Sequence, residues 1–137
     1  MAHAAKRESV QTHAVTSERA LRGALCERMA AEYLQERGLE IVARNLRCKA
    51  GELDLVCRDG QVLAVVEVRQ RHRTDYGGAL ASVSGSKQRK IIRAARFLLE
   101  RRVTLSAMTL RFDVVAVQGT PDGAHEICWI KDAFRAA

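Results

Sequence analysis

Glu52, Asp54, Glu67 and Arg69 carry the most chemistry this sequence offers in one place. Between Gly51 and Arg71 the chain reads GELDLVCRDGQVLAVVEVRQR. Glu52 and Asp54 lie in one alternating run, and Glu67 and Arg69 lie in the next. The two runs flank an Asp-Gly pair, the strongest short-range signal for a β-hairpin. With Asp59 and Gly60 as the two-residue loop, Arg58 pairs with Gln61, Val56 faces Leu63, Asp54 faces Val65 and Glu52 faces Glu67. Strand alternation then sets Glu52, Asp54, Glu67 and Arg69 on one face. Asp54 and Glu67 become diagonal neighbours, roughly 7–8 Å apart at the backbone and within reach of a shared ion. Like charges directly opposite weaken a sheet, and a divalent cation would relieve the repulsion between Glu52 and Glu67. Carboxylate oxygens suit magnesium, manganese or calcium. The plainer alternative is a solvated strand face with a Glu67–Arg69 ion pair of little energetic weight.

The elements that must hold these groups lie on either side. Ser17 reads as a helix cap with Glu18 in the first turn, and the helix runs to about Arg37 and stops at Gly38. Its inward series is Ala20, Gly23, Ala24, Glu27, Ala30, Ala31 and Leu34, spaced as one helical face. Glu27 sits mid-face among glycine and alanine, so it must be paired, hydrated or metal-associated. A buried pair with an arginine is the structural alternative. Leu21, Leu25 and Met29 lie on the other side, where a second contact, such as another subunit, would sit.

Leu39 to Arg44 reads as the first strand, and residues 45–50 connect it to the hairpin. Residues 71–78 read as a polar loop bearing Gly77 and Gly78, with His72 exposed rather than catalytic. Ser84 or Ser86 caps a second helix that runs to about Arg102, with Gln88, Ile91, Ile92, Ala95, Leu98 and Leu99 inward. Met108 to Gln118 is a fourth strand, with Phe112, Val114 and Ala116 on one face. His125 to Lys131 is the fifth and carries Trp129, with Phe134 beyond it. Asp113, an isolated acid among valines, reads as structural. The order α-β-β-β-α-β-β gives an α/β (α+β) fold, a mixed five-stranded sheet flanked by helices, with a parallel crossover between strands three and four. Residues 1–16 show no periodicity and read as a flexible tail before a single domain over 17–137.

A chain of 137 residues with 47% hydrophobic content suits one globular domain. No apolar run approaches the ~18 residues of a membrane span, and the N-terminus lacks the apolar stretch of a signal peptide. Both point to the cytoplasm and away from a membrane. Cys26, Cys48, Cys57 and Cys128 are scattered without zinc-site spacing and read as reduced thiols. The formal net charge of +7 fits a polyanionic partner. Residues 87–102 hold seven basic residues against Glu100 alone, and Arg69, Arg71 and Arg73 add to the excess. Helical ion pairing cannot neutralise such a face. Lys87, Gln88, Lys90, Arg93 and Arg71 are therefore the candidate nucleic-acid contacts, near a helix start whose free N–H groups favour phosphate.

Glu27, Asp54 and Glu67-Val68-Arg69 together resemble the signature of restriction-endonuclease-like nucleases, an Asp followed by Glu-x-Lys on the next strand. More closely, residues 17–135 resemble the YraN family of small bacterial proteins. The matching residues are Gly23 and Glu27, Ala43-Arg44-Asn45, Gly51-Glu52-Leu53-Asp54-Leu55, Val66-Glu67-Val68-Arg69, Gly77-Gly78, Lys87-Gln88, Arg111-Phe112-Asp113-Val114-Val115 and Ala133-Phe134. The resemblance implies a restriction-endonuclease-like or tRNA-endonuclease-like core related to archaeal Holliday-junction resolvases. It implies Glu27, Asp54 and Glu67 as ligands of Mg2+ or Mn2+; Glu52 is an accessory candidate from its place on the hairpin face alone. It also implies an endonuclease acting on DNA, branched DNA included, and a homodimer. Arg69 departs from the wider nuclease pattern, where lysine is usual. Arginine can stabilise phosphate charge but cannot serve as a base. Two other readings stay open: a silent nucleic-acid-binding module of the same fold, and an assembly protein that docks an acidic partner on the basic helix.

Overall fold

The computed structural model describes residues 2–71, 76–121 and 123–136. Helix α1 spans Ala2–Glu36, so the helix expected to begin at a Ser17 cap starts earlier and contains Ser17 in its interior. Residues 2–16 have no apolar stripe, yet they hold neither glycine nor proline and are rich in good helix formers. At the other end the expectation holds. Gly38 takes φ +91°, its N–H bonds to the Gln35 carbonyl at 3.0 Å, and the Leu39 N–H returns to Leu34 at 3.1 Å. This is a left-handed helix stop that side-chain-bearing residues resist.

Five strands follow in the order β1-β2-β3-β4-β5. They are β1 (Glu40–Cys48), β2 (Gly51–Asp59), β3 (Val62–Arg71), β4 (Thr109–Gly119) and β5 (His125–Phe134). Only β3 and β4 pair in parallel. That pairing needs a crossover, supplied by α2 (Tyr76–Ala81), α3 (Gly85–Arg101) and α4 (Val103–Ser106). The mixed five-stranded sheet with flanking helices is thus the expected one, with two short helices added. The sequence reading had a glycine-bearing loop at Tyr76-Gly77-Gly78, because paired glycines argue against a helix; contact with β3 and β4 overrides that preference. His72 and Arg73 lie outside the described residues.

The sheet is covered on both faces. Ala30, Ala31 and Leu34 of α1 pack with Leu55, Cys57, Ala64, Val66 and Val115 on one. Ile91, Ala94, Ala95 and Leu98 of α3 pack with Leu53, Val56, Leu63, Val65, Phe112 and Val114 on the other. Ser84, one of the two expected caps, accepts the Lys87 N–H at 3.2 Å and sets the start of α3.

The hairpin register differs from the expected one. Asp59 pairs with Val62 and Arg58 with Leu63, so the two-residue loop is Gly60-Gln61. Gly60, at φ +61°, takes the first loop position, which needs positive φ. Asp59 is kept in the ladder, where its carboxylate receives the Arg111 guanidinium at 2.9 Å. The slip is two positions in the pairing, so each side chain keeps its face.

Asp113, expected to be structural, is fully buried and saturated. It accepts from Arg111 Nε and Nη2 at 2.8 and 2.9 Å, from Trp129 Nε1 at 3.0 Å and from the Asp132 N–H at 3.0 Å. The last bond holds the irregularity where β5 bulges against β4, with Asp132 at φ +52°.

Candidate active site

Strand β1 does not stop at Arg44 but continues to Cys48, and Asn45 within it takes φ +49°. Arg44 pairs with Leu55, and Leu46 pairs with Leu53. Leu55 belongs to the cluster under α1, whereas Leu53 belongs to the cluster under α3. Residues two apart normally share a face, so the alternation breaks between them, at Asp54. The β2–β3 ladder also ends there. Its last pair is Leu55 with Val66, while β3 runs on beside β4 to Arg71. The Asp54 carboxylate enters this gap, and its Oδ2 accepts the Val68 N–H at 2.9 Å in place of a ladder bond.

Carried one residue past its last pair, Leu55 with Val66, the corrected register would set Asp54 opposite Glu67 rather than diagonal to it. Glu67 is 4% exposed. Burial pushes its carboxyl up to about 7, and the charge of Asp54 and a hydrogen bond with Asp54 add to that, against the opposing pull of Lys87 and Arg69. Lys87 Nζ and Arg69 Nη2 each lie 3.6 Å from Glu67 Oε1. Arg69 Nη2 also donates to the Ser82 carbonyl at 3.4 Å, which ties the arginine to the segment before α3. Glu27, on α1, lies within the electrostatic reach of Asp54 and Glu52. Burial raises its carboxyl above the ordinary range, Asp54 and Glu52 add to that, and a hydrogen bond with Asn45 opposes it.

Asp54, Glu67, Arg69 and Lys87 therefore converge, and Glu27 joins through the field of Asp54. Glu52 does not take the expected position opposite Glu67. It is exposed and pairs with Arg47 at 3.7 Å. Among the described residues, no three His, Cys, Asp or Glu side chains form a ready-made cation cage. The groups that could hold a divalent cation are the carboxylates of Asp54 and Glu67, whose mutual repulsion adds to burial in raising Glu67.

The expected nucleic-acid contacts are spread over the α3 side. Lys87 is drawn to Glu67. Gln88 Nε2 donates to the Val83 carbonyl at 3.0 Å and braces the helix start. Arg71 Nη1 bonds its neighbour's Gln70 carbonyl at 3.3 Å. Lys90 and Arg93 are exposed. Two polar residues were not singled out by the sequence reading. Asn45 lowers the Glu27 carboxyl through a hydrogen bond, and the sequence showed it only as a matching residue in Ala43-Arg44-Asn45 at the start of a connector. Gln118 is 1% exposed, and neither atom of its amide has a partner among the described residues. It follows Val114-Val115-Ala116-Val117, where a polar side chain is out of pattern.

A mixed five-stranded sheet with a carboxylate pair where two strands part defines an α+β domain with an acidic site beneath a basic helix. The chain belongs to the uncharacterised protein family UPF0102, the YraN family, whose model matches residues 26–117. It is 45% identical over 112 residues to a UPF0102 protein of Pseudomonas putida, covering 82% of this chain and 90% of that one. It is 47% identical over 115 residues to a UPF0102 protein of Xanthomonas euvesicatoria, covering 84% and 92%. A UPF0102 protein of Pseudomonas savastanoi is 42% identical over 118 residues, covering 86% and 96%. None of the described helices is long and apolar enough to cross a membrane.

Proposed function

We propose that the site hydrolyses DNA phosphodiesters with Mg2+ or Mn2+ held by Asp54 and Glu67, and with Glu27 acting through water. The observation that carries this reading is the convergence, where β2 and β3 part, of the half-buried Asp54 carboxylate held by the Val68 N–H with the buried Glu67 carboxylate 3.6 Å from both Lys87 and Arg69. When bound, the ion supplies Lewis-acid polarisation and a more acidic water. The chain's own residues do the rest. Asp54 is oriented by the Val68 N–H, so its second oxygen is left to a ligand. Arg69 stabilises charge that develops on the phosphate. Lys87, on the first turn of α3 and 3.6 Å from Glu67, would turn to a phosphate oxygen of the substrate. Phosphate contacts give affinity without reading sequence, so DNA shape, junctions included, is the selected feature. The four cysteines are free, and burial raises the Cys57 thiol to about 12, which suits a reduced cytoplasmic setting.

The test is cleavage of supercoiled plasmid and of a four-way junction with Mn2+ or Mg2+. Wild type is expected to nick, and Asp54→Ala and Glu67→Ala are each expected to lose at least about 100-fold in rate, on the order of a lost electrostatic contributor. Activity that survives both changes eliminates the site.

A second reading has one observation in its favour. Arg69 and Lys87 each lie 3.6 Å from Glu67 and hold it without metal. On that reading the domain binds nucleic acid and does not cut it, and salt-sensitive binding appears with no product under any metal.

A further inference from the structure

Helix α3 has two cationic flanks, and the candidate active site uses only one. Lys87 turns to Glu67, and the Lys90 turn lies against the start of β2, where its carbonyl comes within 3.5 Å of a Cβ built on Gly51. The opposite flank borders a groove of about 460 Å³ lined by Gln88, Arg89, Ile92, Arg93, Arg96 and Arg135. Arg135 pairs with Asp132 at 2.6 Å, but Arg89, Arg93 and Arg96 make no ion pair with any described acid. Guanidiniums gathered along one groove repel each other, and their planar forks match phosphate oxygens. From Gly85 to Arg96 the helix rises about 17 Å, the axial length of roughly five phosphates on one strand.

We infer that the Arg89–Arg93–Arg96 groove holds a second sugar-phosphate backbone, so that α3 lies between the two strands of duplex DNA. A single strand passing Lys87 and Glu67 would leave this flank unused, whereas a duplex offers a backbone to each side. The inference deepens the proposed function and rests on it for the identity of the polymer.

Fluorescence anisotropy with a short labelled duplex and with one of its single strands tests the groove. It is run with divalent ions chelated, between about 50 and 200 mM KCl. The R89Q/R93Q/R96Q protein is expected to bind the duplex at least about tenfold more weakly, with a log K against log[salt] slope shallower by about 2.7 for three lost contacts. The single strand is expected to lose much less. The R89K/R93K/R96K protein keeps the charge and is expected to keep the slope. An unchanged slope in the glutamine variant, an equal loss for both nucleic acids, or a lysine variant as weak as the glutamine one each overturns the inference. Because binding alone is read, such a result leaves cleavage at Asp54 and Glu67 to its own test.

Discussion

Glu67 stands between a like charge on Asp54 and unlike charges on Lys87 and Arg69, and burial decides which side prevails. Its folded value of about 7 lies above the ordinary 4.5, so the native protein keeps a proton that the unfolded chain releases. The resulting stabilisation is whole below about pH 4.5 and is lost as the pH rises through 7. Metal-free protein should therefore lose stability across this window, on the order of 3 kcal/mol, read as a falling melting temperature. Glu67→Gln should flatten that part of the profile. A wild-type slope retained in Glu67→Gln would show that another group titrates there. Asp113 is the contrasting acid. It is buried with four donors and no neighbouring carboxylate contact, so its role is to hold β4, β5 and Arg111 together. Removing one partner of a buried pair leaves the other charge stranded. Asp113→Ala should lose about 3–5 kcal/mol in urea denaturation, and a loss below 1 kcal/mol would contradict this role.

At the scale of elements, the site is made by an interruption rather than by regular structure. Asn45 turns left-handed in β1, the phase of β2 changes at Asp54, and the β2–β3 ladder ends one residue short of the Asp54–Glu67 pair. Asn45→Ala removes both a residue that tolerates this backbone and the hydrogen bond to Glu27. It should cost about 1–3 kcal/mol in chemical denaturation, and an unchanged midpoint would show that the turn is not strained. The hairpin was legible, and with it the faces of residues 55–66, because alternation survives a slip of two positions. The turn phase was not, since it depends on Arg111 drawing Asp59 into the ladder from a strand about fifty residues away in sequence. The break at Asp54 was illegible for a related reason. No glycine or proline marks it, and Leu53 and Leu55 read as one face until the helices on both sides are in place. Helix α2 was hidden by its glycines, and the first half of α1 by its lack of an apolar stripe.

Across the whole molecule, sheet and helices divide the labour. Helix α1 covers one face and carries Glu27 within the field of Asp54, and the crossover covers the other and brings Lys87 to Glu67. The net charge of +7 was legible from composition, but its arrangement into two flanks of α3 was not, because that depends on where β5 ends and sets Arg135. The central claim is that Asp54 and Glu67 form one cation site. Its most direct test is anomalous scattering from crystals soaked in Mn2+ above pH 7, where Glu67 has lost its proton. The account predicts a single strong peak within about 2.5 Å of carboxylate oxygens of both residues, absent in Asp54→Ala crystals. Saturating Mn2+ with no peak between Asp54 and Glu67, or a peak that persists without Asp54, would contradict it.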